Sequence, residues 1–340
     1  MNQLKICLIG AGRVGELYCE LYKGYIPDAK IEAIVDLEIS KAKELARKFD
    51  ISEKNTFDSF EKSIDEVNFD AVIIVSPTFT HSDLTVMAAD HGMHIFCEKP
   101  MAVNLDECDR MIAACEKAGV ILQIGFMRRF DPGFSEAKMR IDEGVIGNPI
   151  IVKSLGRGPG LPPKWTYDIN QSNGMLAEVN SHDFDTIRWL GDGEYKRVYA
   201  EAQNFKTPDI KKDYPDFYDS AVVSIRLTNS VMGMIDGLCP SEYGYDARAE
   251  VVGTRGIIMV GNVSEFSFVS CTRDSGLVSP QILSWRTRFH EAYIREHRHF
   301  IKCIKNGIKP DVTGLDGKMT TAAVIAANKS IIQGVPVSLD

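Results

Sequence analysis

Residues 5–15 read KICLIGAGRVG, a short apolar run that leads directly into three glycines and the start of a helical pattern. The apolar run predicts a buried strand, and residues 13–23 predict a helix. In the pattern GxGxxG the first glycine permits a tight turn, the second lets a phosphate approach the backbone, and the third allows close helix–strand packing. The free N–H groups at the start of that helix attract an anion. The stretch therefore predicts a dinucleotide site formed by Gly10, Gly12, Arg13, Val14 and Gly15.

The first third of the chain alternates strands with helices. Such alternation with short links is typical of a doubly wound parallel sheet, and a continuous apolar strand such as Ala71–Val75 is typical of burial on both faces. Further strands are predicted at Ile31–Asp36, His94–Cys97 and Val120–Ile124, and helices at Ser40–Phe49 (with Ser40 as N-cap), His81–His91 and Leu105–Ala118. We therefore predict that residues 1–124 form a Rossmann domain of the α/β class.

After residue 125 the pattern changes to strands that follow one another without helices between them. Strands are predicted near 144–155, 197–205, 219–227, 231–237, 247–253 and 256–260, and helices near 177–190, 288–306 and 317–333. Consecutive strands favour antiparallel pairing, so residues 125–340 are predicted to form an α+β domain with a mostly antiparallel sheet. Residues 156–164, GRGPGLPPK, hold too many glycines and prolines for regular structure and predict a loop beside a pocket.

The composition excludes several classes of protein. The 340 residues carry 47 acidic and 39 basic side chains, a net charge of −8, which provides no basic excess for nucleic acid or anionic lipid. No apolar run reaches the ~20 residues of a membrane span, and the apolar start is too short for a signal peptide. Eight cysteines are scattered without a CxxC motif or a Cys/His cluster. This favours reduced thiols in a cytoplasmic, two-domain enzyme.

Asp36 ends the second predicted strand, twenty-one residues after Gly15. An acid at this place holds the ribose hydroxyls of a bound dinucleotide. It also repels a ribose 2′-phosphate by a few kcal/mol, about two or three decades of affinity, at ~4 Å and an effective dielectric constant of ~20. Leu37 and Glu38 follow it rather than an arginine, so the sequence predicts NAD rather than NADP.

Several stretches together resemble one family of oxidoreductases. Besides GAGRVG they are VSPTFTHSDL at 75–84, CEKP at 97–100, IGFMRRFD at 124–131, NGMLAEVNSHDFDTIRWLG at 173–191 and YGYDAR at 243–248. They resemble the glucose–fructose oxidoreductase, inositol dehydrogenase and rhizopine-catabolism family (GFO/IDH/MocA) over essentially the whole chain, and its inositol dehydrogenase branch in particular. The resemblance implies a second domain whose open sheet often forms an oligomer interface, here a homodimer or homotetramer. It also implies oxidation of a secondary alcohol on a sugar or cyclitol.

The resemblance further implies site residues. Lys99 would be the catalytic lysine, and Glu178 and His182 would complete a triad with it. The usual family residue at the position of Glu178 is aspartate, and the glycine-rich loop departs from the histidine-bearing segment expected of myo-inositol enzymes. Cofactor contacts are expected from Ser76, Pro77, His81, Glu98 and Lys99.

The chemistry of alcohol oxidation supports these roles. The reaction needs a hydride acceptor, a base for the hydroxyl proton and charge support for the developing alkoxide. Glu178, His182 and Asp185 lie at i, i+4 and i+7 of the predicted helix and so share one face, a spacing that ordinary helix-surface pairs also show. A free imidazole titrates near ~6.5 and a free lysine near ~10.4. We therefore predict that His182 is the base, oriented by Glu178 with Asp185 as the alternative, and that a charged Lys99 stabilises the alkoxide.

Two neighbouring arginines follow the last predicted strand of the first domain. Either Arg128 or Arg129 forms a structural ion pair as readily as it binds substrate hydroxyls, and the resemblance favours Arg128 for substrate. The expected substrate-binding set is Arg128, Arg157, Trp165, Asp185 and Tyr245.

The histidines near the C-terminus do not predict a metal site. His290, His297 and His299 lie in an amphipathic helix beside arginines, which indicates the helix surface or an interface, and further ligands at suitable spacing are missing. Two alternatives to a dehydrogenase stay open. One is a keto-sugar or dihydrodiol reductase of the same family, and the other is a non-enzymatic NAD-binding sensor.

Overall fold

The computed structural model describes residues 3–264 and 269–339, and the chain divides into two units. The first unit comprises Met1–Met127 together with Tyr293–Lys318, and the second comprises Arg128–Ala292 together with Met319–Asp340. The chain thus leaves the first unit after Met127 and returns to it near the C-terminus, which differs from a single division at residue 124.

The first unit is built on a parallel sheet. Its strands are β1 (Leu4–Ile9), β2 (Ala29–Val35), β3 (Thr56–Phe57), β4 (Ala71–Ile74), β5 (His94–Glu98) and β6 (Leu122–Gly125). The helices between them are α1 (Arg13–Gly24), α2 (Ile39–Lys48), α3 (Phe60–Glu66), α4 (His81–Asp90) and α5 (Leu105–Ala118), with 3₁₀ turns at Glu53–Asn55 and Thr78–Thr80. The strand order is β3-β2-β1-β4-β5-β6 and every pairing is parallel. The predicted doubly wound Rossmann sheet is confirmed.

Local hydrogen bonds explain where the helices of this unit begin and end. Helix α5 begins after Asn104, whose side chain accepts the Glu107 N–H at 2.9 Å, and it ends at Gly119 in the left-handed conformation. Helix α2 begins earlier than predicted, because the Asp36 carboxylate accepts the Glu38 N–H at 2.9 Å and Glu38 is the N-cap. Ser40 therefore lies inside the helix, and its predicted capping role is wrong.

The second unit is built on a mixed sheet. Its strands are β7 (Pro149–Arg157), β8 (Tyr195–Gln203), β9 (Ser220–Leu227), β10 (Met232–Leu238), β11 (Asp246–Gly253), β12 (Ile257–Val260), β13 (Ser270–Thr272), β14 (Gly276–Val278) and β15 (Val337–Ser338). Its helices are α6 (Pro132–Asp142), α7 (Ile169–Ser172), α8 (Gly174–Glu178), α9 (Ser181–Gly191) and α10 (Ile210–Asp213), with a 3₁₀ turn at Lys164–Tyr167. Two long helices, α11 (Trp285–Asn306, bent at Phe289) and α12 (Gly314–Gln333), contribute residues to both units.

The seven-stranded sheet has the order β12-β11-β7-β10-β9-β8-β15. Only β7 and β10 pair in parallel, so the predicted α+β unit with a mostly antiparallel sheet is confirmed. Helix α9 packs on β7, β10 and β11, which covers one face. On the other face Met232 and Met234 of β10 are exposed, as are Val222 and Met259 of neighbouring strands.

Several predicted boundaries in the second unit are wrong, each for a local physical reason. The strand predicted from 144 begins at Pro149, because Gly144 and Gly147 adopt positive φ and form turns. The loop predicted from 156 begins later, because Gly156 and Arg157 complete the ladders of β7 with its neighbours. The helix predicted at 177–190 is two helices, α8 and α9, and helix α6 was not predicted.

Helix α11 places its second half in the core of the first unit. His297 is fully buried, with its ring centroid 4.4 Å from that of Phe96 and 4.1 Å from that of Tyr18. Burial lowers the pKa of His297 to about 3, so the ring is neutral near pH 7. The predicted surface position of His297 is therefore wrong, since the helix presents this face to the sheet of the first unit rather than to solvent.

The cysteines of the chain are reduced. All eight cysteines are free thiols, seven of them buried and Cys271 exposed, in line with the predicted pattern of mostly buried thiols. Within residues 3–264 and 269–339, no helix combines the length and apolarity that crossing a membrane requires. The same residues hold no cluster of three or more His, Cys, Asp or Glu side chains arranged for a metal ion.

Candidate active site

The glycine loop after β1 fits the pyrophosphate of a dinucleotide. Gly10 has φ +112°, and a Cβ there would lie 2.9 Å from the Val75 carbonyl, while a Cβ on Gly15 would overlap the Gly10 carbonyl oxygen. These two glycines are thus required by packing inside the unit. Gly12 differs, because a Cβ there would meet no atom within 4 Å. Gly12 is also the N-cap of α1 and has no side chain to cap the first N–H groups. The open space and the helix N-terminus suit an incoming phosphate.

Asp36 lies beside this loop at the end of β2. Its half-buried carboxylate accepts the Ala11 N–H at 2.8 Å and the Glu38 N–H at 2.9 Å. The carboxylate therefore holds the glycine loop against the strand end. The following residue, Leu37, is largely exposed and brings no positive charge for a 2′-phosphate. The place of Asp36 at the carboxyl end of the sheet is where ligands bind in open α/β folds.

Lys99 follows β5 directly, and a buried carboxylate holds its backbone. The Glu98 carboxylate accepts the Lys99 N–H at 3.0 Å and the Tyr18 hydroxyl proton. It also lies against Gly125 of β6, where a Cβ would come within 3.0 Å of the carboxylate. The structure thus places Glu98 as a support behind the turn, while half-buried Lys99 stands at the carboxyl end of the sheet.

A second buried carboxylate, Glu296 of α11, faces the same interior. Its side chain is fully buried, and neither carboxylate oxygen has a hydrogen-bond partner among the described residues. Burial, and then the nearby negative charge of Glu98, raise the pKa of Glu296 well above its usual range. Burial also raises the pKa of Glu98, against which Lys99 and the Tyr18 hydrogen bond act. Since the donors converge on Glu98, the pKa of Glu296 is the more strongly raised of the two.

The turn after β4 carries the other expected cofactor residues. The Ser76 hydroxyl lies 2.7 Å from the Thr80 hydroxyl, and Pro77 precedes the 3₁₀ turn at Thr78–Thr80. His81 begins α4 with 1% of its surface exposed, and both ring nitrogens lie near backbone carbonyls of this unit. The structure therefore brings Ser76, Pro77 and Lys99 to the same edge of the sheet and places the His81 ring beneath them.

The candidate residues of the second unit lie around the junction of α8 and α9. Glu178 is the last residue of α8, whereas His182 lies in the first turn of α9 and is 6% exposed. The chain leaves helical geometry between them because Asn180 caps α9 and its side chain donates to the Gly156 carbonyl at 3.1 Å. The predicted single helix face for Glu178, His182 and Asp185 is therefore wrong. Their catalytic roles stay predictions.

Arg128 is held in a buried ion pair. Its guanidinium donates to Asp183 at 2.7 Å and to the Ser154 hydroxyl at 3.2 Å, and only 1% of Arg128 is exposed. Tyr245, another expected substrate residue, also hydrogen-bonds the Arg128 side chain. Asn180 completes the network by donating to Asp183 at 2.8 Å. Arg128 and Tyr245 thus belong to one hydrogen-bonded network around the buried Asp183 carboxylate.

The other expected substrate residues sit in separate contacts. Arg129 forms a two-bond ion pair with Asp185, at 2.9 and 2.5 Å. Arg157 pairs with Asp236 across β7 and β10. Trp165 is half-buried in the 3₁₀ turn that follows the glycine-rich loop.

Sequence reasoning missed Asn180 and Asp183, although the strands carried a signal for them. Gly156 and Gly237 pair in register near the carboxyl ends of β7 and β10. A Cβ on Gly156 would overlap the Asp183 carboxylate, and a Cβ on Gly237 would overlap the Asn180 amide. Glycine inside a strand often marks such a close approach.

A parallel Rossmann sheet with a glycine loop, an aspartate at the end of β2 and a lysine turn after β5 defines the class of NAD-binding oxidoreductases. Residues 4–126 match the family model described as an oxidoreductase family with an NAD-binding Rossmann fold, and residues 134–259 match the GFO/IDH/MocA C-terminal domain. The chain belongs to the GFO/IDH/MocA family, so the resemblance read from the sequence is confirmed.

Characterised relatives match over almost the full length. The scyllo-inositol 2-dehydrogenase (NAD(+)) of Bacillus subtilis is 37% identical over 100% of this chain and 97% of that protein. The myo-inositol 2-dehydrogenase of Thermotoga maritima is 36% identical over 99% of each. The myo-inositol 2-dehydrogenase structure from Lactobacillus plantarum superimposes with a TM-score of 0.92 at 26% identity, covering 100% of both chains. The chain is accordingly an NAD-dependent dehydrogenase that acts on CH–OH groups.

Proposed function

We propose that the enzyme oxidises a ring hydroxyl of an inositol with NAD. The observation that carries the proposal is similarity at 36–37% identity to two inositol 2-dehydrogenases over essentially the whole chain. An inositol presents secondary alcohols on a saturated ring. On oxidation the ring carbon gives up its C–H hydrogen as a hydride and the hydroxyl on it gives up a proton, which leaves a ketone. The two relatives are named for different inositol isomers, scyllo and myo. The proposal therefore specifies neither the isomer nor the carbon that is oxidised.

When bound, NAD supplies the hydride acceptor, and the residues of the chain manage the proton and the charge. We propose that His182 takes the hydroxyl proton on its ring and that Glu178 orients it. Charged Lys99 donates a hydrogen bond to the reacting oxygen, which stabilises the alkoxide as it forms. The backbone of Lys99 is already fixed by the Glu98 carboxylate, so this donor needs little reorganisation during the reaction.

We propose binding roles for the residues of each unit in turn. Gly10, Gly12, Arg13, Val14 and Gly15 hold the pyrophosphate in this proposal, Asp36 holds the adenosine ribose, and Ser76, Pro77, His81 and Glu98 shape the end nearer Lys99. Substrate contacts are proposed for Arg128, Arg157, Trp165, Asp185 and Tyr245. The ion pairs of Arg128, Arg157 and Asp185 support this role, because they hold the charges rigidly before substrate arrives.

A substrate panel tests the proposal by NADH absorbance. Myo-, scyllo- and chiro-inositol, free hexoses, methyl glycosides and short 2-hydroxy acids are each offered with NAD. We expect turnover of at least one inositol and none of lactate-like acids. Exclusive turnover of 2-hydroxy acids would contradict the proposal. A reductase would instead be indicated by much faster oxidation of NADH with keto-sugars than reduction of NAD with any polyol.

The non-enzymatic alternative has its own signature. A sensor would bind NAD with similar affinity before and after Lys99→Ala and would give no NADH on the whole panel. Calorimetric titration of both proteins with NAD, run beside the panel, measures the binding part of this signature.

We propose that the exposed face of the seven-stranded sheet pairs with a second copy of the chain, giving a homodimer or homotetramer. Exposed Met232 and Met234 alternate with buried residues of β10, and Val222 and Met259 extend the apolar area. Apolar side chains grouped on one sheet face are typical of interfaces. Light scattering after size exclusion should show an oligomer that Met234→Lys dissociates. The control Ile332→Lys, at an exposed position of α12, should leave it intact.

We also propose that the enzyme works in the cytoplasm without a nucleic-acid or membrane partner. Free thiols at all eight cysteines and an acidic net charge of −8 support this. Cell fractionation with an antibody checks the location, and recovery in the membrane fraction would contradict it.

A further inference from the structure

Two turns at the carboxyl edge of the parallel sheet meet at one buried ring. His81 Nε2 lies 2.8 Å from the Ser76 carbonyl oxygen, and His81 Nδ1 lies 2.9 Å from the Pro100 carbonyl oxygen. The Ser76 turn follows β4 and the Lys99–Pro100 turn follows β5, its parallel neighbour. One side chain thus connects the segments that leave two adjacent strands.

Two side chains, Glu98 and His81, contact the backbone of the Lys99–Pro100 turn. Proline has no N–H, so Pro100 cannot close the turn through its own amide. The Lys99 N–H is already donated to the Glu98 carboxylate at 3.0 Å. The Pro100 carbonyl oxygen is contacted separately, by His81 Nδ1 at 2.9 Å.

The chemistry of the ring suits such a bridge. A carbonyl oxygen only accepts hydrogen bonds, whereas imidazole has two nitrogens about 2 Å apart on one rigid ring. A neutral ring donates to one of the two carbonyls and an imidazolium donates to both. Burial lowers the pKa of His81, and the positive charge of Lys99 acts in the same direction, against the hydrogen bonds to the carbonyls. In either state the ring fills the gap between the turns.

We propose that His81 is a positioning residue that locks the Lys99–Pro100 turn to the Ser76 turn and so sets where the Lys99 ammonium stands. The inference rests on the proposed function in that Lys99 is the group being positioned. It assigns His81 no contact with the reacting atoms. Since a misplacement of about 1 Å can cost ~10²-fold in rate, losing the bridge is expected to act on kcat.

The test compares three variants. His81→Phe keeps a planar ring and removes both ring nitrogens, whereas His81→Gln keeps one amide donor. His91→Phe is the matched control, because His91 caps the other end of α4 and its Nδ1 bonds only the local Met87 carbonyl, at 2.8 Å. We expect kcat with the best inositol to fall about 10–100-fold in His81→Phe, less in His81→Gln and under ~2-fold in His91→Phe. The Kd for NAD should change less than kcat.

A second readout is independent of turnover. The rate at which trinitrobenzenesulfonate labels Lys99, followed by peptide mass spectrometry, should change in His81→Phe while exposed Lys43 and Lys117 label at the wild-type rate. Equal kcat and equal Lys99 labelling in His81→Phe and His91→Phe would overturn the proposal. If His81→Phe does not fold, His81→Gln carries the same comparison. Inactivity of the unmodified enzyme on every polyol would reject the proposed function instead, and the labelling would still decide the role of His81.

Discussion

The two units arrange their functional residues by different means. In the first unit, Asp36, Ser76 and Lys99 each follow a strand of one parallel sheet, so the topology itself brings them to one edge. Their supports are mostly backbone groups and nearby carboxylates. Such a site should tolerate substitutions that preserve the backbone of these turns. It should be impaired by a side chain that occupies a turn or by the loss of a hydrogen bond that holds one.

The second unit relies on charge pairs between residues far apart in the chain. Arg128 and Asp183 are 55 residues apart, and Arg129 and Asp185 are 56 apart. Both pairs are buried, so neither partner can be removed without leaving an uncompensated charge. Equivalent substitutions should therefore mainly affect ligand binding in the first unit, whereas in the second unit they should lower stability as well, apart from the residues that handle the proton.

The largest expected effect concerns that proton. His182→Ala should lower kcat about 10²–10⁴-fold, the usual size of acid–base assistance, and abolish a pH–rate inflection near neutrality. Lys99→Met should lower kcat at least as much without moving the inflection, since its role is charge support. Steady-state rates from pH 5 to 10, with the Kd for NAD as control, check both. If the inflection survives in His182→Ala and vanishes in Lys99→Met, the two roles are reversed.

The buried ion pair of the second unit gives the next largest effect. Arg128→Met leaves Asp183 buried without its partner and should lower the free energy of unfolding by about 3–5 kcal/mol. Arg140→Met, which removes an exposed pair with Glu136, should leave the free energy of unfolding nearly unchanged, because solvent screens exposed pairs. Chemical denaturation measures both. A loss below ~1 kcal/mol in Arg128→Met would show that the second unit does not depend on this pair.

Cofactor choice tests the turn-based site of the first unit. Asp36→Ser with Leu37→Arg removes the repulsion of a 2′-phosphate and adds a guanidinium for it. The ratio of kcat/KM for NADP over NAD should rise by about two decades, the affinity that a few kcal/mol represents. Because Asp36 also accepts the Ala11 N–H, some loss of NAD use is expected too. A wild-type preference for NADP would refute the role of Asp36.

Gly12→Ala probes the same loop with a smaller change. A Cβ at this position meets no protein atom within 4 Å, so the melting temperature should stay within ~1–2 °C of wild type. The Kd for NAD should nevertheless weaken ~10-fold or more, because the methyl group occupies the space a phosphate approaches. Gly24→Ala is the matched control, at the other end of α1 and equally open. Equal NAD affinity in the two variants would place the pyrophosphate elsewhere.

The smallest expected effect is on the pH dependence of stability. The pKa of Glu296 is raised by burial and by Glu98. Its contribution to the stability of the fold is therefore fully present below the unfolded-state pKa of ~4.3 and is lost as pH rises through the folded-state pKa. Glu296→Gln removes this loss. Its melting temperature should gain on wild type as pH rises from 5 to 9, by roughly 2–4 °C for each ~1 kcal/mol. Glu291→Gln, at an exposed position of α11, is the control, and a gap that shrinks with pH would contradict the assignment.

This difference between the two units explains which parts of the fold and the site could be predicted from the sequence. The glycine loop, Asp36 and the Lys99 turn were predictable because each is a local motif beside a strand, and parallel topology then collects them. The pairing of Arg128 with Asp183 and the break at Asn180 were not predictable. They depend on the close approach of α9 to two glycines, in strands that are neighbours in the sheet but far apart in the sequence. The burial of His297 was missed for a similar reason, since an amphipathic pattern does not say which unit the helix packs on.

The return of Tyr293–Lys318 to the first unit also bears on how the protein is made. A ribosome releases Met1–Met127 long before the segment that buries Tyr18 and Phe96 against His297. The nascent N-terminal region must therefore wait, with those rings incompletely covered, until Tyr293–Lys318 has been translated. A gene cut after residue 127 would encode a Rossmann sheet lacking part of its own interior. Duplication or exchange of this cofactor-binding unit between genes would succeed only if the C-terminal helical segment moved with it.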